Sequence, residues 1–378
     1  MACGAARERA GSYFIVMELN RFNSMKILAH ADRLRMIADG QEPYPIDWHL
    51  FPSNVCNHLC TWCAYRAPSP DGHIEQLDFR VLLPKEVLLR GVRDAARTGA
   101  VMVHFSGGGE PLINKATPEA MELAQSLGLT VVLSTNGRLL TPEIASLVNH
   151  IRVSLNAGTK EQHYLTNHAG EGTSDWETIL ENIAKAEPHA RQDMGLGFVV
   201  DHENYQDIYE FCKLAAKLFR KSTDQKQRFV HIRPAFYYDT IQDGHVRSIM
   251  RDALALCDRA RRDFGDTVDV AAITDKFEGY WTDRTYDRCL AVWTGTTLRA
   301  TGDFAVCQDR TDLTFGHTPN YKKGASFEDV WHSDEHRRVV SRIHAGADLD
   351  QCPRCVWGNR NVLISEVFQK DTIRLDLI

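Results

Sequence analysis

The sequence has no apolar run long enough to cross a membrane and no cluster of basic residues. Lys and Arg are scattered through its 378 residues and the formal net charge is -6, so it lacks the electrostatic surface that nucleic acid or an anionic membrane attracts. The amino-terminal segment also lacks the apolar core of a signal peptide. These absences predict a cytoplasmic protein with a small-molecule or peptide partner.

Ten cysteines in a reducing compartment are ligands, catalysts or buried thiols rather than disulfides. Three of them, Cys56, Cys60 and Cys63, lie within eight residues and have no fourth cysteine nearby. A structural zinc site closes with four protein ligands, whereas an iron–sulfur cubane held by three thiolates keeps one iron open. The triplet therefore predicts an open cluster, and half of a zinc site that includes His58 is the alternative.

Apolar β-branched runs alternate with amphipathic helical stretches between residues 47 and 235, which predicts strand–helix units and a mainly parallel sheet. The predicted strands cover residues 47–55, 100–106, 129–134, 150–155, 195–200 and 228–234. The predicted helices cover residues 85–98, 117–127, 142–149, 176–187 and 205–219. Six units are fewer than the eight of a closed barrel, so we expect an α/β fold with a partial (β/α)6 barrel.

Side chains alternate between the two faces of these strands. Ile151 and Val153 take one face while Arg152 takes the other, and His231 lies opposite its apolar neighbours in the same way. Helices must cover the apolar face, so the polar face lines the lumen. Arg152 and His231 are therefore substrate-binding candidates in a polar cavity.

The pattern changes after residue 240. A long helix over 245–264, a hairpin over 296–307 and a final helix over 327–344 predict a smaller α+β domain. We therefore divide the chain into an amino-terminal extension and helix (1–46), the partial barrel (47–240) and a carboxyl-terminal domain (241–378).

Motifs at successive strand ends resemble those of the radical S-adenosylmethionine (radical SAM) superfamily. The cysteine triplet follows the first predicted strand, and a glycine-rich motif follows the second. The resemblance implies a [4Fe-4S] cluster with an open iron on the triplet and a bound S-adenosylmethionine. The cofactor-binding residues that it implies are Gly108, Gly109, Glu110, Ser134, Asn136, Ser154, Asn156 and Arg233.

The second group of cysteines comprises Cys289, Cys307, Cys352 and Cys355, with Gly302 between the first two. Read alone, the spacing also fits a zinc ribbon. Beside the first motif it is similar to the twitch domain of the superfamily, a shortened SPASM domain. That resemblance implies a second [4Fe-4S] cluster, and four thiolates would saturate it, so its role is electron transfer or structure.

The resemblance implies an enzyme that takes one electron from a flavodoxin or ferredoxin, cleaves S-adenosylmethionine and abstracts hydrogen with a 5′-deoxyadenosyl radical. We expect a sugar, aminocyclitol or nucleoside as substrate, as in antibiotic biosynthesis. The outcome is dehydrogenation, or epimerisation if a thiol returns hydrogen. Cys212 and Cys257 are candidate donors, although their helical spacing also fits buried core thiols, and Tyr237, Tyr238 and Tyr286 are weaker candidates.

Two alternatives remain at this stage. One is maturation of a ribosomal peptide, although leader-binding domains run to about 80 residues and only 46 precede the first predicted strand. The other is a non-enzymatic iron–sulfur or zinc module that acts as a sensor or scaffold.

Overall fold

The computed structural model describes residues 24–66, 77–168, 170–219, 226–235, 240–272, 277, 286–345, 349, 352, 355 and 357–368. No helix in these ranges combines the length and the apolar character that a membrane span needs.

One sheet of ten strands organises the described chain. Its strands are β1 (Asp47–Leu50), β2 (Met102–Phe105), β3 (Thr130–Thr135), β4 (His150–Ser154), β5 (Asp193–Val200), β6 (Arg228–Pro234), β7 (Asp269–Ala272), β8 (Gly295–Leu298), β9 (Phe304–Ala305) and β10 (Thr314–Phe315). Their order is β10-β9-β8-β1-β2-β3-β4-β5-β6-β7. Neighbouring strands from β8 through β1 to β7 pair in parallel, whereas β9 pairs antiparallel with both β8 and β10. The predicted α/β fold with a mainly parallel sheet is confirmed.

Helices connect the strands. They are α1 (Ala31–Ala38), α2 (Lys85–Arg97), α3 (Thr117–Ser126), α4 (Pro142–Leu147), α5 (Lys160–Asn167), α6 (Trp176–Ala186), α7 (Ile208–Leu218), α8 (Thr240–Phe264), α9 (Phe327–Trp331), α10 (Asp334–His344) and α11 (Gly358–Val362), which continues as a wider turn over Leu363–Phe368. Short 3-10 segments lie at Ser24–His30, Pro111–Ile113, Glu187–His189, Tyr205–Asp207, Ala291–Trp293 and Tyr321–Lys323.

The predicted final helix over 327–344 is wrong as a single element, because Ser333 divides it into α9 and α10. The Ser333 side chain accepts a hydrogen bond from the His336 backbone N–H at 3.1 Å and so caps α10. Helix α5 and strand β7 were not predicted.

The predicted alternation appears directly in β4. Ile151 and Val153 are fully buried, whereas Arg152 and Ser154 are only partly covered. On the next strand, the buried Phe198 packs against Phe211 of α7 with ring centroids 4.9 Å apart. The apolar core therefore lies between the sheet and its helices, which leaves polar side chains on the other face.

The carboxyl-terminal part of the chain extends the same sheet. Strand β8 pairs with β1, so that Gly295 lies opposite Asp47. Arg360 donates to Asp47 at 2.8 Å, and the Tyr321 hydroxyl donates to Asp94 at 2.7 Å. The sheet thus crosses residue 240, and the domain division there remains a prediction.

We expect Arg228→Met to lower the free energy of unfolding by about 3–5 kcal/mol, because it leaves a buried carboxylate uncompensated. Arg228 and Glu187 form an ion pair at 2.9 Å with side chains only 5% and 4% exposed. Lys185→Ala, which breaks an exposed pair with Glu181, is the matched control and should cost less than about 0.5 kcal/mol. Equal urea midpoints for the two variants would contradict this ranking.

Candidate active site

A cavity of about 330 Å³ opens at the carboxyl ends of the parallel strands. Its wall includes the cysteine loop after β1, the glycine loop after β2, the ends of β3, β4 and β6, and residues from the segment 308–311. Parallel pairing carries these chain segments to one edge of the sheet, where open α/β folds bind ligands. Every predicted cofactor-binding residue lines this cavity.

The three cysteines of the first motif lie together on the cavity wall. A tight turn, in which the Cys63 N–H donates to the Cys60 carbonyl at 3.1 Å, holds them in one loop. Burial raises the pKa of Cys56 to about 11 and that of Cys60 well above its ordinary value. Metal ligation needs thiolates, so these side chains fit a group that brings its own positive charge, as iron does.

Two backbone contacts fasten the cysteine loop to α5. The Leu59 N–H donates to the Asn167 carbonyl at 2.8 Å, and the Thr61 N–H donates to the Thr166 carbonyl at 3.0 Å. The middle of the cysteine loop is therefore held against the carboxyl end of α5.

The glycine loop packs directly on the cysteine loop. A Cβ on Gly109 would lie 2.4 Å from the backbone oxygen of Asn54, and one on Gly108 would lie 2.9 Å from the Asn54 side chain. Two backbone bonds, Gly109 N–H to Ser53 at 3.0 Å and Glu110 N–H to Val55 at 2.9 Å, close the interface. Glycine is required here by contact between the two loops.

The Glu110 carboxylate joins the ends of β2 and β3. It accepts hydrogen bonds from the Thr135 hydroxyl and the Asn136 N–H, each at 2.7 Å, and from the Leu112 N–H at 3.1 Å. Burial nevertheless raises the pKa of Glu110 to about 7. Both of its oxygens are engaged by the chain itself, so Glu110 positions the loops.

Two asparagines fix the neighbouring strand ends. Asn156 adopts φ 60 and its side chain accepts from the Val199 N–H at 3.0 Å, which joins the ends of β4 and β5. Asn136 donates to Asn57 of the cysteine loop at 2.8 Å. The strand-end residues that line the cavity are thus tied to one another.

A polar chain runs across the lumen beneath the loops. Arg152 donates to Ser134 at 2.9 Å and approaches His231 at 3.4 Å, while His104 contacts the same Ser134 hydroxyl at 2.8 Å. Burial and the charge of Arg233 lower the pKa of Arg152 to about 9. The sequence had not singled out His104, although strand alternation places it on the lumen face.

The structure brings the four cysteines of the second motif together. Burial raises the pKa of Cys289 to about 11 and that of Cys307 well above its ordinary value, and the other thiols of the group add to the rise for Cys307. Four N–H groups approach the sulfurs: the Arg310 backbone to Cys307 at 3.3 Å, the Arg310 guanidinium to Cys352 at 3.6 Å, Trp357 to Cys355 at 3.3 Å, and the Asn361 amide to Cys289 at 3.5 Å. Such donors favour thiolates, so this group also fits a metal or a cluster.

A short segment connects the second cysteine group to the cavity. Gln308, Asp309 and Thr311 follow Cys307 and line the cavity wall, and the Tyr65 hydroxyl donates to the Gln308 carbonyl at 3.4 Å. Burial and then the charge of Asp309 raise the pKa of Tyr65. Sequence reasoning missed Tyr65 and Asp309, and only their positions next to ligand cysteines could have indicated them.

The candidate hydrogen donors lie elsewhere. Cys212 and Cys257 are fully buried where α7 packs on α8, and neither lines the cavity. Burial raises the pKa of Cys257 to about 12. Tyr286 lies beside Cys355, whereas Tyr237 and Tyr238 fall outside the described residues.

Residues 50–215 match the family model of the Radical SAM superfamily. Among curated proteins, a probable GTP 3′,8-cyclase of Saccharolobus islandicus (strain M.14.25 / Kamchatka #1) is 27% identical over 177 residues, or 46% of this chain and 53% of the relative. The Fe-coproporphyrin III synthase of Methanosarcina barkeri is 27% identical over 187 residues, or 49% and 43% of the two chains. The chain thus spans about half the length of the curated relatives it matches.

Solved structures share the fold. Streptococcus suis SuiB bound to S-adenosylmethionine gives a TM-score of 0.59 at 13% identity and covers 84% of this chain and 73% of SuiB. Native anSMEcpe with bound AdoMet gives 0.55 at 15% identity and covers 79% and 83% of the two chains.

We expect the free energy of unfolding of the wild-type chain, taken relative to that of Glu110→Gln, to decrease as pH rises from about 4.5 to 7. The raised pKa means that the folded state holds this proton more tightly than the unfolded state. The stability that Glu110 contributes is therefore present at low pH and lost as pH rises through 7, whereas Gln does not titrate. Urea unfolding of the metal-free protein at pH 5 and pH 8 measures the effect. An increase of this relative free energy with pH would show that the three donors stabilise the anion more than burial destabilises it.

Proposed function

We propose that this chain, whose residues 50–215 form a radical SAM domain, is an enzyme that dehydrogenates a hydroxyl-bearing carbon of a small polar substrate. The observation that carries the proposal is one cavity that joins the cysteine loop, the glycine loop, two partly buried arginines and the segment leading from the second cysteine group.

When bound, a [4Fe-4S] cluster on Cys56, Cys60 and Cys63 and S-adenosylmethionine supply, with one electron from a flavodoxin or ferredoxin, a 5′-deoxyadenosyl radical that takes hydrogen from carbon. The chain contributes the positions of these groups. Gly108 and Gly109 expose backbone to the cavity, and Ser154 and Asn156 offer polar groups at the end of β4. Glu110 ties the glycine loop to the end of β3 through its three hydrogen bonds.

The cavity favours a hydroxylated or anionic substrate. Arg152 and Arg233 both belong to its wall, and burial lowers the pKa of each, which means that a partner of opposite charge would be bound strongly there. A sugar, an aminocyclitol or a nucleoside has this character. The curated relative named as a probable GTP 3′,8-cyclase supports a nucleoside substrate within this class.

Dehydrogenation is favoured over epimerisation because, in the part of the chain that the structure describes, no thiol other than the three of the first motif lines the cavity. Among the described residues, the cysteines on its wall are those of the first motif, and Cys212 and Cys257 are enclosed by helices. An epimerase would need a donor to return hydrogen to carbon. We therefore do not propose either thiol in that role.

Asp309 is placed to accept the proton that an alcohol must lose. Its carboxylate lines the cavity and its charge acts on Tyr65, Arg233 and Cys307. In the proposed oxidation the carbon loses a hydrogen atom to the radical, the hydroxyl proton moves to Asp309, and one electron remains to be removed. Cys289, Cys307, Cys352 and Cys355 would hold an oxidised second [4Fe-4S] cluster that would accept this electron, which leaves a carbonyl product.

Sulfur spacing supports a cluster over zinc in that group. A tetrahedral zinc ion with Zn–S bonds of about 2.3 Å brings its sulfurs to about 3.8 Å from one another. Among the described residues, no three cysteine sulfurs all lie within 4.8 Å of one another. A wider cubane accommodates such a spacing.

We expect anaerobically reconstituted protein with dithionite to convert S-adenosylmethionine to 5′-deoxyadenosine, and Cys60→Ala to abolish the conversion. Cys212→Ala, which alters a thiol away from the cavity, should retain it. Chromatography of the nucleoside product measures both. No cleavage by iron-loaded wild-type protein, even with a stronger reductant, would favour the sensor or scaffold alternative.

We expect Asp309→Asn to lower formation of the oxidised product by about 100-fold or more, the usual contribution of an acid–base group, while uncoupled cleavage of S-adenosylmethionine continues. Asp309→Glu should recover part of the activity. The assay is mass spectrometry of candidate sugars, aminocyclitols and nucleosides incubated in deuterium oxide. Deuterium incorporated at carbon without oxidation would instead establish epimerisation, and modification of a peptide would establish the maturase alternative.

A further inference from the structure

Four buried side chains that the proposed reaction does not use lie in the cysteine loop and directly behind it. They are His58, His163, His168 and Asp175, whose exposed fractions are 3%, 0%, 7% and 3%. One potential ligand atom from each lies within 4.8 Å of those from the others. Among the described residues, no other set of three or more His, Cys, Asp or Glu side chains brings its potential ligand atoms so close together.

Two of the imidazoles share the carboxylate. Nε2 of His58 lies 3.0 Å from one oxygen of Asp175, and Nε2 of His168 lies 2.8 Å from the other. The three rings lie close together in tilted or edge-on arrangements, with centroids 4.7 Å apart for His58 and His168, 5.4 Å for His163 and His168, and 5.6 Å for His58 and His163. The polar atoms therefore converge on one small volume.

His163 has no hydrogen-bond partner within this arrangement. Both of its ring nitrogens are buried and unpaired, and its other face packs on Trp176 at 5.4 Å. Unpaired buried polar atoms are costly and uncommon in folded proteins. A ligand that accepts a nitrogen lone pair would remove this cost.

We propose that His58, His163, His168 and Asp175 bind one zinc ion. Three imidazoles and a carboxylate are a nitrogen and oxygen set that suits zinc. With bonds of about 2.0–2.1 Å, a tetrahedral ion spaces its ligand atoms about 3.3–3.4 Å apart. The distances of 2.8 and 3.0 Å run to different oxygens of Asp175, so one of them joins two ligand atoms of such an ion, and all four ligand atoms lie within 4.8 Å of one another. Four protein ligands close the coordination sphere, so the site is structural.

The ion would fasten the cysteine loop to the two helices behind it. His58 lies between Cys56 and Cys60, His163 belongs to α5, and Asp175 directly precedes α6. Its role is to set the loop geometry independently of the iron that the same loop holds. The proposal does not depend on the substrate or the reaction outcome.

Arg138 competes for the same carboxylate. Its Nη1 lies 3.2 Å from the Asp175 oxygen that His58 also contacts, and its side chain is 46% exposed. The guanidinium can turn to solvent when zinc binds, at the cost of this contact. Arg138→Gln should therefore hold zinc more tightly than the wild-type chain does.

Metal analysis combined with zinc X-ray absorption on the reconstituted full-length protein tests the site. We expect one zinc per chain with nitrogen and oxygen neighbours at about 2.0–2.1 Å and no sulfur neighbour at about 2.3 Å. The absence of sulfur distinguishes this site from zinc misplaced in either cysteine group. Wild-type protein without zinc, or with sulfur-bound zinc alone, would overturn the proposal.

His163→Gln should lose zinc to a competing chelator at least tenfold faster than wild-type protein and recover little on addition of zinc chloride. His336→Gln, which alters another buried histidine in α10, is the matched control and should retain the ion. If His163→Gln does not fold, Asp175→Asn and the wild-type spectrum remain decisive. Nitrogen-bound zinc that His163→Gln retains at wild-type affinity would also refute the assignment.

Discussion

The pairing of β1 with both β2 and β8 determines where the functional groups lie. Because all three strands are parallel, their carboxyl ends meet at one edge of the sheet. The cysteine loop leaves β1 between the glycine loop on one side and the chain beyond β8 on the other. Backbone bonds from Ser106 to Leu50 at 3.0 Å and from Phe51 to Leu298 at 2.9 Å continue both ladders. The two cysteine groups are thus neighbours of one cavity although they are distant in sequence.

The site is built from ionisable groups whose charged forms are disfavoured by burial. The thiols of both groups have raised pKa values because burial opposes the thiolate, and Arg152 has a lowered pKa because burial opposes the guanidinium. Each of these groups would be stabilised by a ligand of opposite charge. In the function proposed above, iron would do this for the thiolates, and a hydroxylated or anionic substrate would do it for the arginines. The contacts that would bind the cluster and the substrate would therefore also position them for the reaction.

Local sequence patterns were sufficient to predict much of the fold. The predicted strand over residues 228–234 coincides with β6, and the other five predicted strands overlap β1 to β5 with differences at their ends. The cysteine triplet and the glycine motif could be found because each is a compact spacing in the chain. Ser333 shows a local signal that was overlooked, since a serine before two acidic residues is a common helix start.

Long-range relations could not be predicted in the same way. Nothing near Gly295 indicates that its strand pairs with β1, and nothing near Asp175 indicates that His58 contacts it. Helical spacing also cannot distinguish a thiol enclosed by two helices from one at a cavity. Cys212 and Cys257 have the same pattern in either case, and only their packing between α7 and α8 separates the two.

The pairing of β1 with β8 also has a consequence for how the chain folds. The paired residues Asp47 and Gly295 are about 250 positions apart, so one edge of β1 has no partner until most of the chain has been synthesised. Closing so long a loop slows folding. In that interval Trp48, which is fully buried in the finished sheet, lies on a strand with an unpaired edge. A fragment that ends near residue 240 would keep that edge permanently and would be prone to aggregate.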